Sequence, residues 1–287
     1  MTPGERAESS RRITENRYRR ALSRVMGDIR RAVRGLTDPD AIVRAVERYA
    51  NSKAFDDLVS LAVERMITAQ KVAMRSTWRQ AAAASTRGRE IYELMRKELV
   101  GTLTGARMGS IVTQNSALIK TVPSNVAKRL SNFAKEMALK GERPEVTAQR
   151  MRGMASHLTN VEITRIARTE TAKAQSSLLE ARCAEVGVTM YQWYTCKDGS
   201  VRKSHQLMQG VYCLWSDPPD PEALAGEKSG GHPYHPGGIY NCRCIALPVV
   251  AVQDIKFPAK VYKSGKIHAV GNMQALKKLI PNIGVHT

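Results

Sequence analysis

The sequence predicts an α+β protein, a predominantly helical N-terminal region followed by a small mixed α+β C-terminal module. Three observations carry this. Hydrophobic residues make up 43% of the chain but aromatic residues only 5%, and a composition rich in alanine, arginine and leucine favours helix over sheet. Up to about residue 185 the apolar residues recur at intervals of three and four, the period of an amphipathic helix. Beyond Gly187 the pattern changes to short β-branched and aromatic runs separated by a long loop of glycine, proline and histidine. The expected organisation is a helical region over 1–157, a module over 158–255 and a lysine-rich tail over 256–287.

From Arg11 to Arg34 the residues Tyr18, Leu22, Val25, Met26, Ile29 and Val33 form one apolar stripe, which predicts a helix with a basic outer face. The stretch "GLTDPDAI" breaks it, with Asp38 as N-cap and Pro39 at the first helical position of a second helix reaching about Ala50. A third helix is expected from about Ala54 to Ser85, with Phe55, Leu58, Val59, Ala62, Val63, Met66 and Ile67 on one face. Helix is also expected through "REIYELMRKELV" and, after Pro123, through "SNVAKRLSNFAKEMALKG", ended by Gly141. The stretch "LTNVEITRIARTETAKAQSSLLEARCAEVG" follows, capped at Thr159 or Asn160 and closed by Gly187. Glu170 lies on its apolar face, and a carboxylate there calls for a cation; Arg243 and Arg202 are the candidates.

In the module, "VTMYQWYT" predicts a strand, "KDGSVRKSHQLMQG" a turn and a short helix, and "VYCLW" a second short strand. "SDPPDPEALAGEKSGGHPYHPGG" is a long irregular loop, of a length that serves a function or is tied down. "CRCIALPVVAV" predicts the closing strand. On it, Cys242, Cys244 and Ala246 would share one face and Arg243, Ile245 and Leu247 the other. The last segment, from Lys256, carries six lysines and no acid after Asp254, and is expected to be a partly mobile tail with a short helix at "MQALKKLI".

Charge and cysteines narrow the function classes. Lys plus Arg number 45 against 26 Asp plus Glu, a formal net charge of +19. That balance points to a polyanionic neighbour, with nucleic acid the commonest. Arg17, Arg20, Arg24 and Arg31 on the first helix and Lys277 and Lys278 near the end are the candidate DNA contacts. With no base-reading motif, the expected contact is non-specific and electrostatic. No run of about eighteen apolar residues occurs and the N-terminus is polar, so synthesis in the cytoplasm and no membrane partner are expected. Five cysteines, an odd number, fit a secreted disulfide framework poorly. For Cys242 and Cys244 four roles are open: packing of small buried thiols, which leads; zinc binding, with His205, Cys242, Cys244 and His235 as candidate ligands; a disulfide; and a catalytic thiol. The absence of a C-x-x-C pair, and the divergence of two cysteines on a flat strand, weigh against zinc. No catalytic residue and no cofactor are assigned on this reading.

Four motifs in order resemble one family. These are "NSALIKTVP" at 115–123, "IARTETAKAQ" at 166–175, "YQWYTCKDGSVRKSHQLMQG" at 191–210 with Trp193, Asp198, Arg202, His205 and Gly210, and "NCRCIALPV" at 241–249. Together they are similar to the phage Mu F-like minor head proteins, also called head morphogenesis proteins. Many relatives carry two cysteines where this chain has Arg202 and His205. In the absence of those cysteines, the resemblance implies that Asp198, Arg202, His205 and Arg243 hold the same loops by ion pairs and hydrogen bonds; with Arg168 and Glu170 they make up the expected structural polar cluster. It also implies a non-enzymatic minor capsid protein of the virion, lying in the capsid interior near the portal after assembly in the host cytoplasm. Its partners would be the portal protein and/or the major capsid protein, with non-specific contact to double-stranded DNA. Two alternatives stand beside it: a nucleotide-binding transferase using Arg168, Glu170, Arg202 and His205, and a plain non-specific DNA-binding protein.

Overall fold

The computed structural model describes residues 2–83, 85, 102–281 and 283; the helix expected at "REIYELMRKELV" lies outside them. Among the described residues five long or medium helices come first: α1 (Pro3–Ala32), α2 (Pro39–Ala50), α3 (Lys53–Ala83), α4 (Leu103–Leu139) and α5 (Pro144–Glu185). The module follows as β1 (Met190–Tyr194), α6 (Lys203–Leu207), β2 (Tyr212–Leu214), α7 (Pro221–Leu224) and β3 (Ile245–Pro248). The chain ends with β4 (Ala259–Lys263), β5 (Lys266–Val270) and α8 (Met273–Leu279). This is the α+β class that the periodicities predict.

Several boundaries have local causes. Asp38 caps α2 as expected, its carboxylate accepting from the Asp40 and Ala41 amides with Pro39 in the first turn. Gly141 and Gly187 take φ of 72° and 71° where α4 and α5 stop, the left-handed geometry glycine adopts at helix ends. Two expectations are corrected. Helix α4 runs straight through Pro123, and α5 begins at Pro144 rather than near residue 159. Thr159 is buried inside α5, where its hydroxyl donates to the Ala155 carbonyl at 2.7 Å. A hydroxyl satisfied by the preceding turn has no need to cap anything.

The chain divides into two compact units, and α1, α3, α4 and α5 each contribute to both. The helical unit comprises Thr14–Ala69 and Ser110–Thr171. Its interior holds Tyr18, Leu22, Ile29, Phe55, Met66, Ile119 and Leu130, all buried, and these include the stripes read from spacing. A polar pair sits among them: the Tyr18 hydroxyl donates to Asn115 Oδ1 at 3.0 Å, and Asn115 Nδ2 donates to the Ile111 carbonyl.

The mixed unit comprises Met1–Ile13, Gln70–Gly109 and Ala172–Thr287. Its five-stranded sheet has the order β3-β1-β2-β4-β5, antiparallel except for the parallel β2–β4 pair. The segment from Lys256, read as a tail, is therefore corrected over 259–270 to two paired strands. Ser264 and Gly265, with φ of 45° and 85°, make the two-residue turn between them. Positive φ at both positions is the turn geometry that matches strand twist. Val261 is buried and Lys260 exposed, so the lysines line the outside of a hairpin. Its inner face joins Met190, Leu214, Ile255 and Leu276 in one apolar cluster.

Candidate functional site in the loop module

The long loop between β2 and β3 is organised by its own polar groups. Asp220 caps α7 through the Ala223 amide and accepts from the Ser229 hydroxyl. The Tyr234 amide bonds the Pro219 carbonyl at 2.9 Å, folding the loop back on its start. At its far end Gly237 has φ 85°, and a Cβ there would lie 2.9 Å from the Ala172 carbonyl oxygen of α5. Only glycine allows that approach.

Under this loop three side chains from distant parts of the sequence meet. His205, on α6, is 2% exposed; Cys242 and Cys244 are 2% and 4% exposed. His205 Nδ1 stands 3.5 Å from Cys242 Sγ and 3.4 Å from Cys244 Sγ, and the three donor atoms lie within 4.8 Å of one another. The expectation that the two cysteines diverge along a strand is corrected. Strand β3 starts only at Ile245, and Asn241 takes φ 56° just before Cys242. In the irregular segment the alternation of strand side chains does not apply, and both sulfurs turn to the same ring nitrogen.

The surroundings of the three groups are specific. The Gly237 and Cys244 amides both donate to Cys242 Sγ at 3.4 Å. The Cys244 thiol, donating to Cys242, is the largest influence holding Cys242 well below the ordinary thiol range; burial opposes it and His205 assists. The same bond, followed by burial, pushes Cys244 up. The indole N–H of Trp193 is buried without an acceptor at normal distance, and it favours a charge on Cys244. On the other side of the ring, His205 Nε2 is 2.8 Å from the Tyr234 hydroxyl, which donates to Glu222 Oε2 at 2.6 Å. Glu222 also accepts from Ser204 at 3.3 Å. All five cysteines are free thiols in the structure.

A second polar set flanks the first. Both oxygens of Asp198 accept from the Arg243 guanidinium, with Nη2–Oδ1 at 2.9 Å, and Arg202 donates to the Tyr240 carbonyl at 2.8 Å. Partial burial works against the Asp198 charge, but the Ser200 amide and Arg243 hold the carboxyl below its usual range. Thus Asp198, Arg202, His205 and Arg243 gather at the loop's closing end. Arg168 and Glu170 fall in the helical unit. There Arg168 Nε lies 3.6 Å from Glu15, and Glu170's charge, after burial, raises the pKa of the Tyr18 hydroxyl. The expected pairing of Glu170 with Arg243 or Arg202 thus joins residues assigned to different units.

His235, the remaining candidate ligand, stands apart from the three. Its Nδ1 is 3.1 Å from the Tyr191 hydroxyl and its ring lies edge-on to Trp215, with centroids 4.9 Å apart; burial lowers its pKa to about 4. Tyr234 and Glu222 were not singled out by the sequence reading. The signal available was an acid and a tyrosine inside a loop long enough to need anchoring.

The candidate DNA contacts are exposed. Arg17, Arg20 and Arg24 lie along one stretch of α1, and Arg31 is paired with Asp28. Lys277 and Lys278 are exposed in the last turn of α8. Among the described residues no helix is long and apolar enough to cross a membrane.

Comparison with known proteins places these residues. Residues 131–247 match the family described as Phage Mu protein F like protein. An uncharacterized protein of Haemophilus influenzae is 26% identical over 144 residues, which is 50% of this chain and 30% of that protein, so the aligned part spans under a third of the relative's length. No solved structure matches the chain. The match takes in the end of α4, all of α5 and the module through β1, β2 and the loop to Leu247, with the whole His205, Cys242 and Cys244 cluster inside it. The likeness of this chain to the Phage Mu protein F like family thus lies in residues 131–247.

Proposed function

We propose that the protein is a minor component of a phage head. On this reading it lies inside the capsid near the portal, contacts the portal protein and/or the major capsid protein, and touches packaged double-stranded DNA without sequence preference. The observation that carries the reading is the family match over 131–247. The net charge of +19 supports the DNA contact, because a surface rich in exposed arginine and lysine gains affinity by releasing counterions from phosphate. Arg17, Arg20, Arg24, Lys277 and Lys278 are the residues assigned to that contact. The transferase alternative would use His205 to touch a ligand, and that ring is 2% exposed.

The direct test is mass spectrometry of purified virions, with and without gentle release of the DNA. A few copies per particle, retained inside the shell, are expected. Absence from particles that package DNA normally would overturn the reading. A plain DNA-binding protein would instead be found on intracellular DNA and not in particles.

A further inference from the structure

We propose that His205 Nδ1, Cys242 Sγ and Cys244 Sγ bind one zinc ion, and that this ion closes the loop of residues 216–244. The inference is independent of the head reading.

The distances carry it first. With Zn–S of about 2.3 Å and Zn–N of about 2.0–2.1 Å, a tetrahedral centre sets its S···N edges near 3.6 Å. The two observed edges are 3.5 and 3.4 Å. Hydrogen bonding alone accounts for only one of them, since a ring nitrogen has one lone pair or one proton to offer, not two.

The protonation state follows from the other side of the ring. Glu222 is an acceptor only, so the Tyr234 proton goes to it across 2.6 Å. The Tyr234 oxygen then accepts from His205 Nε2–H at 2.8 Å. That leaves the lone pair on Nδ1, directed at the two sulfurs. A ligating imidazole whose second nitrogen is fixed by a carboxylate-linked donor is the usual outer support of a metal-bound histidine. Around the sulfurs, the amides of Gly237 and Cys244 and the buried indole N–H of Trp193 are donors suited to thiolate charge.

The donor set selects the ion. Two thiolates and an imidazole are soft to borderline ligands that suit zinc and not magnesium or calcium. All three are under 5% exposed, so the centre is closed and structural. Cys196, half-buried just after β1, or a water molecule takes the fourth position.

The full-length protein, expressed in zinc-supplemented medium and purified without chelator, is expected to hold about one zinc per chain. Replacement by cobalt(II) should give a tetrahedral spectrum with two or three thiolate ligands. Chelation should lower the melting temperature, and zinc should restore it. His205→Ala and Cys242→Ser should lose the metal. His205→Cys should keep it and guards against loss through misfolding, and His235→Gln should keep it as well. Protein that folds with less than a tenth of an equivalent of any transition metal, and whose melting is indifferent to chelator, would overturn the proposal. So would a cobalt spectrum with fewer than two thiolates, or retention of zinc by His205→Ala.

Discussion

The helical unit and the loop module are held together by different means. In the helical unit each element buries one stripe of its own sequence, and Tyr18, Leu22, Ile29, Phe55 and Leu130 are interior because their spacing puts them there. In the loop module the decisive contacts join residues 37 and 39 positions apart, from His205 to Cys242 and to Cys244. They depend on a positive φ at Asn241 and on the absence of a side chain at Gly237. The first kind of order survives many substitutions of similar size. The second fails when one donor or one backbone conformation is lost.

The largest effect expected from a single side chain is in the helical unit. Phe55→Ala should cost about 3–5 kcal/mol, the range for deleting a buried ring, measured by urea unfolding. It should leave the loop's contacts unaltered. Gly237→Ala should come next, forcing a Cβ against the Ala172 carbonyl, about 1–3 kcal/mol of overpacking, on top of about 1–2 kcal/mol for an unfavourable left-handed backbone. Limited proteolysis should then cut within the loop while the helices resist. If Gly237→Ala is neutral, the loop is not seated on α5.

Tyr18→Phe probes a polar pair inside the helical interior. It leaves Asn115 Oδ1 without its donor and should cost about 1–3 kcal/mol, by the same unfolding assay. The Asp198–Arg243 pair is partly exposed, at 40% and 23% of the two side chains. Asp198→Asn should therefore cost no more than about 1 kcal/mol. A double-mutant cycle with Arg243→Met should return most of that as coupling.

His235 gives a pH test of the mixed unit. Its folded pKa of about 4 lies below the ordinary 6.5 because it is buried, so between those values the unfolded chain binds the extra proton. Stability then rises with pH through that window and is lost as pH falls from about 6.5 toward 4. Unfolding of His235→Gln, compared with the parent across this range, should lack that share of the slope.

Legibility in the sequence follows the same division. The cap at Asp38, the stops at Gly141 and Gly187 and the strand at 190–194 were readable because each rests on neighbours in the chain. The β4–β5 hairpin was hidden by its lysines. Yet the alternation around Lys260 and the Ser264-Gly265 turn are present, and turn chemistry was the stronger clue. The convergence of His205 with Cys242 and Cys244 was not readable. Strand alternation from Cys242 presumes a strand that begins only three residues later, at Ile245, and the backbone angle at Asn241 decides the matter.

The measurement that tests the contrast most directly is hydrogen exchange on the full-length protein and on Cys242→Ser, read by peptide. The account expects fast exchange to appear across residues 229–244, including the Gly237 and Cys244 amides that donate to the lost sulfur. Residues 119–130 of α4 should keep their protection. Unchanged protection in the loop, or an equal loss in both places, would contradict the claim that the loop is closed by its two thiols on the His205 imidazole.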